Sequence, residues 1–453
     1  MSRRQGIIRW WYWLHFSTLV VILPTIAAAT RLSRYVDLGA SKDSQGPTSK
    51  VRTIVVDLAT ATRKVRKERT EHLVEEHHLH PSDRGVREWI VLKKLYDAVE
   101  GTEEMQTEGH WLDENYNLCM WRGITCGPDK SDLIEMEKGG VTVPADAITK
   151  IVLVHEELQG TLPTELGMLE FLTRLELQYN ELHGSIPDNY SYIPRLRLID
   201  LSHNDLSGSI PETLGTHSTR LEGIHIADNH LIGQIPPNLV AWSNLRHFDV
   251  SNNVLTGTIP DALFELKNLK YLVAADNWIS GELPSRVANL SSLRLLDLGS
   301  MLLCGPLPFN INQLKSLQDL NLGDNRFTGA LPSEIWDLSE LQTFLASNNQ
   351  FTGTLPTSAK EVGWHELTNL SVLRLDNNRL TGSIPRDLFV GLKASLQWLD
   401  LSYNRLSGTI ATEIGQMIRL RTIDVMANMI SGSLPDEMLE MNMNLRLNFT
   451  NNL

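Results

Sequence analysis

The 453-residue chain has only three cysteines, Cys119, Cys126 and Cys304. So few exclude a fold built on a disulfide framework, and leave room for one local pair and one leftover thiol. Catalytic signatures are also missing. There is no nucleophile elbow, no phosphate-binding loop and no HExxH, and the Gly-rich loop, His-Arg-Asp and Asp-Phe-Gly of a protein kinase are absent. Neither an enzyme nor a cofactor is expected. Positive charge is scarce over most of the chain. The net charge is −13, but residues 1–88 are net positive and the remainder is strongly acidic. A surface of that sign excludes nucleic acid as its partner.

Long hydrophobic runs are lacking except one, Trp10 to Ala29, behind Arg3, Arg4 and Arg9. Two readings stand for residues 1–30. One is a signal peptide with Ala27-Ala28-Ala29 as its cleavage site. The other is an uncleaved anchor, with the membrane held by residues 10–30 and Trp10, Trp11, Tyr12 and Trp13 at the interface. Residues 31–82 read as a polar, basic stalk. In it, His72, Glu76, His77 and His80 miss the zinc-binding His-x-x-Glu-His spacing by one residue. A solvated linker helix is the reading adopted, and no metal is expected.

What is present is a repeat. Leu245–Pro260 reads LRHFDVSNNVLTGTIP, and the same frame returns at Ile148, Leu172, Leu196, Leu221, Leu269, Leu293, Leu317, Leu341, Leu370, Leu396 and Leu420. Most spacings are 24 residues, with 29 after Leu341 and 26 after Leu370. These make twelve full units and a partial thirteenth over residues 148–453. Phe248 and Val250, two apart, share one face of a short strand. Each unit must bury that face on its neighbours, so the strands stack into one parallel sheet. The asparagine at the bend (Asn253 and its equivalents) points inward and must be hydrogen-bonded to survive there. Departures from the frame are read as drift: Glu156 and Met301 for asparagine, and Ala411 for proline. The excess after Leu341 falls in Thr357–Asn369, expected as a convex bulge carrying Trp364 and His365.

Ahead of the repeats, Val86, Trp89, Ile90, Leu92, Leu95, Tyr96 and Val99 mark an amphipathic helix ended by Gly101. HWLDENYNLCMWRGITCG follows. A helix, then Cys-x-Trp-x-Gly-x-x-Cys, then this repeat consensus resembles the ectodomain of plant-type leucine-rich-repeat receptor-like proteins. The resemblance implies an α/β solenoid: a right-handed, curved leucine-rich-repeat horseshoe. Its concave sheet would be parallel, with short 3₁₀ turns on the convex side and a helical N-terminal cap over residues 83–147. It also implies a Cys119–Cys126 disulfide, hence an oxidising compartment. The repeats are therefore expected outside the cell, tethered or secreted. Ser131–Val143 departs from the family pattern as a Glu/Gly-rich insertion. Receptor kinases of the family continue into a membrane span and a kinase; this sequence is expected to hold the recognition half, with either a truncation or a covering partner in place of the family's C-terminal cap.

Candidate binding residues lie on the concave face. One set is an aromatic and imidazole band, Tyr179, His203, His225, His247 and Tyr271, expected to run obliquely across successive turns and to give pH dependence near 6. The other is an acidic row, Glu176, Asp200, Asp249, Asp297, Asp400 and Asp424, with Trp398 nearby. The expected function is non-catalytic recognition of a peptide, glycan or protein, with a kinase co-receptor for signalling. An inhibitor of cell-wall hydrolases and a structural or adhesion wall protein are the alternatives. Sequons at Asn189, Asn289, Asn369 and Asn448 are glycosylation candidates. Cys304 sits at an exposed-type position, as a free thiol or an intermolecular bridge.

Overall fold

A computed structural model describes residues 84–113, 116–130, 142–356, 363–441 and 445–453. Contacts divide the chain into Met1–Asp57 and Leu58–Leu453, and all described residues belong to the second unit. The hydrophobic run, the stalk with its histidines and residues 131–141 lie outside them.

One sheet of fourteen strands runs through the array in chain order. Its inner pairs are parallel and unshifted, as where His247, Phe248 and Asp249 face Tyr271, Leu272 and Val273. The middle residue of each inner three-residue strand is buried, and it is the consensus apolar residue: Leu175, Ile199, Ile224, Phe248, Leu272. A single turn cannot stand alone on so little core. Leu245, Phe248, Val250, Leu255 and Leu263 of one turn are at most 1% exposed because the neighbouring turns cover them.

The ladder asparagine stitches turns together. Asn253 donates from Nδ2 to Ile226 O of the preceding turn and Val250 O of its own, at 3.0 and 3.1 Å, and accepts from Leu231 N at 2.9 Å. Beyond it the chain turns at a glycine. Gly257 has φ +79°, and a Cβ there would lie 2.6 Å from the Gln234 side chain. Pro260, with φ −71°, then leads into a 3₁₀ turn at Asp261–Glu265. Proline is not essential for this: Ala411 adopts φ −74° and leads into the 3₁₀ turn Thr412–Gln416.

Both long spacings have a structural outcome. The unit beginning at Leu370 spends its extra residues on a helix, α3 (Arg386–Leu392), in place of a 3₁₀ turn. In the unit beginning at Leu341 the expected bulge is only half right. His365 is exposed, but Trp364 is 1% exposed. Its ring lies 4.0 Å from that of Trp336, and its Nε1 donates to Pro356 O. A large ring with a satisfied N–H gains more by filling the convex layer than by projecting from it. Residues 357–362 lie outside the described set.

The N-terminal end is built differently. Helix α1 (Arg84–Ala98) lays Val91, Leu92 and Leu95 against the first turn, and α2 (Glu103–Thr107) follows. Trp111 and Trp121 pack at 5.1 Å beneath them. Cys119 and Cys126 are bonded, and Cys126 ends a short strand, β1 (Ile124–Cys126). This strand pairs antiparallel with β2 (Ile148–Val152), the one antiparallel pair in the large sheet among the described residues. It covers the sheet edge that a purely parallel array would leave open.

Candidate functional site

Most concave strands show their two outer residues, and the bend after each shows a third, just before the ladder asparagine. That bend residue has a positive φ: 57° at His155, 61° at Tyr179 and 54° at His203. Aspartate and asparagine occupy it in most turns and tolerate the left-handed region. Bulkier residues there carry roughly 1–2 kcal/mol of strain.

The rings form two groups instead of one oblique band. Tyr179 is stacked between His155 and His203, with centroids 4.3 and 4.1 Å away. On the strand positions, His247 stacks on Tyr271 at 4.6 Å and tilts against His225 at 6.0 Å. The two groups differ because bend and strand residues project from different lines of the sheet. His155 is missing from the expected set, although the repeat frame carried its signal: it stands seven after Ile148, as Tyr179 does after Leu172. Carboxylates link the groups. His203 Nδ1 lies 3.3 Å from Asp228, and His225 Nδ1 lies 3.5 Å from Asp200.

The acidic row is first a backbone device. Asp200 Oδ1 accepts both the N–H and the hydroxyl of Ser202, at 3.1 and 2.6 Å. Asp249 does the same with Ser251 and Asp400 with Ser402. These bonds close the bend. Asp297 corrects the expectation for it. It is 8% exposed, accepting from Gly299 N at 3.1 Å and from Asn321 Nδ2 at 2.8 Å. It belongs to the floor and not to the ligand-facing surface: Gly299 leaves room for the Asn321 amide, which a Cβ there would meet at 2.7 Å. Glu176 pairs with Arg174 at 2.8 Å. Asp400 lies 3.8 Å from Arg374, which also meets Asp376 at 3.3 Å. Trp398 is 39% exposed beside them.

Between Arg174 and Arg374 the outward strand and bend positions hold no lysine or arginine, while Asp200, Asp228, Asp249, Asp276 and Asp324 line them. Burial works against the charge of His225, yet the hydrogen bond and charge of Asp200, with Asp249 and Glu176, raise its pKa overall. Asp200 is correspondingly lowered: burial opposes its charge, but His225 and Ser202 outweigh it. His247 behaves oppositely, pushed down to about 4 by burial and by the positive charges of His225, Lys270 and Arg246. It stays neutral near pH 6, which corrects the expectation for this member of the set. Burial raises Asp249, and raises Asp297 to about 6.

Other candidates fall elsewhere. Cys304 is unbonded and partly exposed. Asn189 and Asn289 are exposed on 3₁₀ turns. The amide of Asn369 donates to Ser339 O, and that of Asn448 to Asp424 Oδ2. Among the described residues, no group of three His, Cys, Asp or Glu could hold a metal ion, and no helix is long and apolar enough to cross a membrane.

Leucine-rich-repeat family models match residues 195–217, 244–266, 316–338 and 368–430. The chain is a leucine-rich-repeat protein. No curated protein sequence matches it. Among solved structures it is similar to PEPR1 in the PEPR1–AtPEP1 crystal structure. The identity is 28% and the TM-score 0.66, over 80% of this chain and 51% of that one. It is also similar to the Arabidopsis receptor kinase HAESA, solved with the peptide hormone IDA and the co-receptor SERK1. Here the identity is 27% and the TM-score 0.61, over 80% and 62%. A TDR receptor matches at 28% identity and a TM-score of 0.58, over 67% and 56%. The leucine-rich-repeat chain thus spans between half and two thirds of the length of these neighbours.

Proposed function

We propose that this leucine-rich-repeat protein is a receptor-like recognition protein on the outer side of the plasma membrane. Its concave face binds a cationic peptide, and a partner kinase carries the signal. The observation that carries the reading is the run of outward strand and bend positions between Arg174 and Arg374, which hold no lysine or arginine, are lined by aspartates and carry two ring stacks. Aspartates attract basic side chains, and the rims of the ring stacks offer aromatic contact. HAESA, solved with the peptide hormone IDA, supports the peptide class.

Calorimetry on the full chain tests this with two extended decapeptides, one rich in arginine and tyrosine, the other with glutamate replacing arginine. The basic peptide binds, weakens in 0.5 M salt and loses about ten-fold in affinity on Tyr271→Ala. Its affinity rises with pH between pH 5 and pH 8, because His225, whose pKa Asp200 raises against its burial, loses its proton as the pH climbs. Equal binding of the acidic peptide, or an affinity flat from pH 5 to pH 8, defeats the reading.

A further inference from the structure

A second column of residues, most of them exposed and Leu302 and Gln350 half-buried, runs along the side of the array, away from the concave face. It consists of the residue just after the ladder asparagine in each turn. Its amide bonds the carbonyl of an apolar residue in the preceding turn: Asp205 to Leu182, Trp278 to Leu255, Arg379 to Phe351. These bonds hold the column in register from turn to turn, at about 4.8 Å per step.

The column is chemically graded. It opens with Glu157 and Glu181, becomes apolar at Val254, Trp278 and Leu302, and turns basic at Arg379 and Arg405. Trp278 is 60% exposed and Val254 42% exposed, with Ile232 at 53% beside them. An apolar patch of this kind on a solenoid flank contributes nothing to the core and marks a contact surface. The grading is symmetric about Trp278. Val254 and Leu302 lie one turn either side of it, Glu181 and Arg379 four turns, and Glu157 and Arg405 five.

We propose that this flank is a self-complementary interface for a second copy of the chain, packed antiparallel about a two-fold axis at Trp278. The axis sets Trp278 against its own copy and Val254 against Leu302. It also sets Glu181 against Arg379 and Glu157 against Arg405 at both ends. That arrangement is isologous, with an aromatic centre and a charged rim. The two-fold places His230 opposite Arg326, and Asp205, 3.6 Å from His230, offsets the contact.

Sedimentation equilibrium of the full chain tests the interface, with circular dichroism to confirm that each surface variant is folded. The wild type sediments as a dimer at low salt, and Trp278→Glu sediments as a monomer. Glu181→Arg and Arg379→Glu each weaken association by about ten-fold, since each alone sets like charges together. The double variant restores opposite charges and returns to within about three-fold of the wild type. A wild type that is monomeric at tens of micromolar overturns the proposal. So does a dimer that survives Trp278→Glu, or a double variant no tighter than the single ones.

Discussion

Inside the array, each turn is held to the next by a neutral device. The Asn277 amide donates to Val250 O and Ala274 O, each at 3.0 Å, and accepts from Leu255 N at 2.9 Å. At the first turn the same position is Glu156, and it works differently. Its carboxylate lies 3.0 Å from Arg122 of the cap. A buried glutamate joins this junction too: Glu88 of α1 is 5% exposed and accepts from Ile148 N of β2. An interior turn meets a copy of itself on both sides, so one uncharged amide serves the interior boundaries, except where Met301 takes its place. The first turn meets a helix and a disulfide loop, and its contacts are particular and titratable.

The largest effect should come from breaking the interior device. Asn277→Ala removes the acceptor for Leu255 N and the donor to Ala274 O in a buried layer. The cost is about 3 kcal/mol, since two backbone groups are stranded. Urea denaturation checks it. A loss as small as that of an exposed substitution would show that neighbouring turns, and not the ladder, carry the cohesion.

Next comes Glu88. Burial is the main cause of its pKa rising to about 7, partly offset by the Ile148 N–H and by Arg84. The folded value lies above the unfolded one, so the folded state binds the proton more tightly. Glu88 therefore costs no stability below about pH 4.5, and the cost grows as pH rises through 7. Glu88→Gln keeps an acceptor for Ile148 N and removes the charge. It should stabilise the cap by about 2 kcal/mol at pH 8 and by nothing measurable at pH 4. Protease sensitivity across that range reads it. An equal effect at both pH values would mean that packing, not ionisation, governs the site.

The disulfide ranks third. Cys126→Ser should loosen β1 from β2 and cost about 2 kcal/mol, as expected for closing a short loop. Hydrogen exchange should rise at the cap and stay unchanged beyond the second turn, because solenoid contacts reach only neighbours.

These effects also mark what was legible. The ladder, the turn chemistry and the parallel sheet follow from the period alone, because each is repeated and each copy confirms the others. The antiparallel strand Ile124–Cys126 and the role of Glu88 occur once, and no repeat exposes them. Trp364 was misplaced for the same reason: a single insertion says where the chain is longer, but not whether its tryptophan turns in or out. Asp297 misled in the opposite way. Its place in the frame matches Asp249, yet Gly299, at the place of Ser251, leaves room for the Asn321 amide. His155 needed only the frame applied one turn earlier.

Glu156 offers the smallest and sharpest test, because one substitution converts the end device into the interior one. Glu156→Asn restores the consensus amide, which in other turns bonds the preceding turn. Here the preceding element is the cap, and the shorter side chain gives up the contact to Arg122. That arginine keeps Glu104 at 2.7 Å, so it is not stranded. The expected loss is below about 1 kcal/mol, since the surviving partner is a part-exposed ion pair. The loss should appear as faster exchange in Gly109 and Trp121, with the interior turns unchanged. Burial raises the pKa of Glu156, and Arg122 opposes the rise. The folded state therefore binds the proton more tightly than the unfolded chain, and the wild-type advantage should grow as pH falls and the carboxylate takes up its proton. A variant more stable than the wild type at pH 7 would mean the amide has found a partner in the cap, and that the first turn differs from the others in sequence but not in kind.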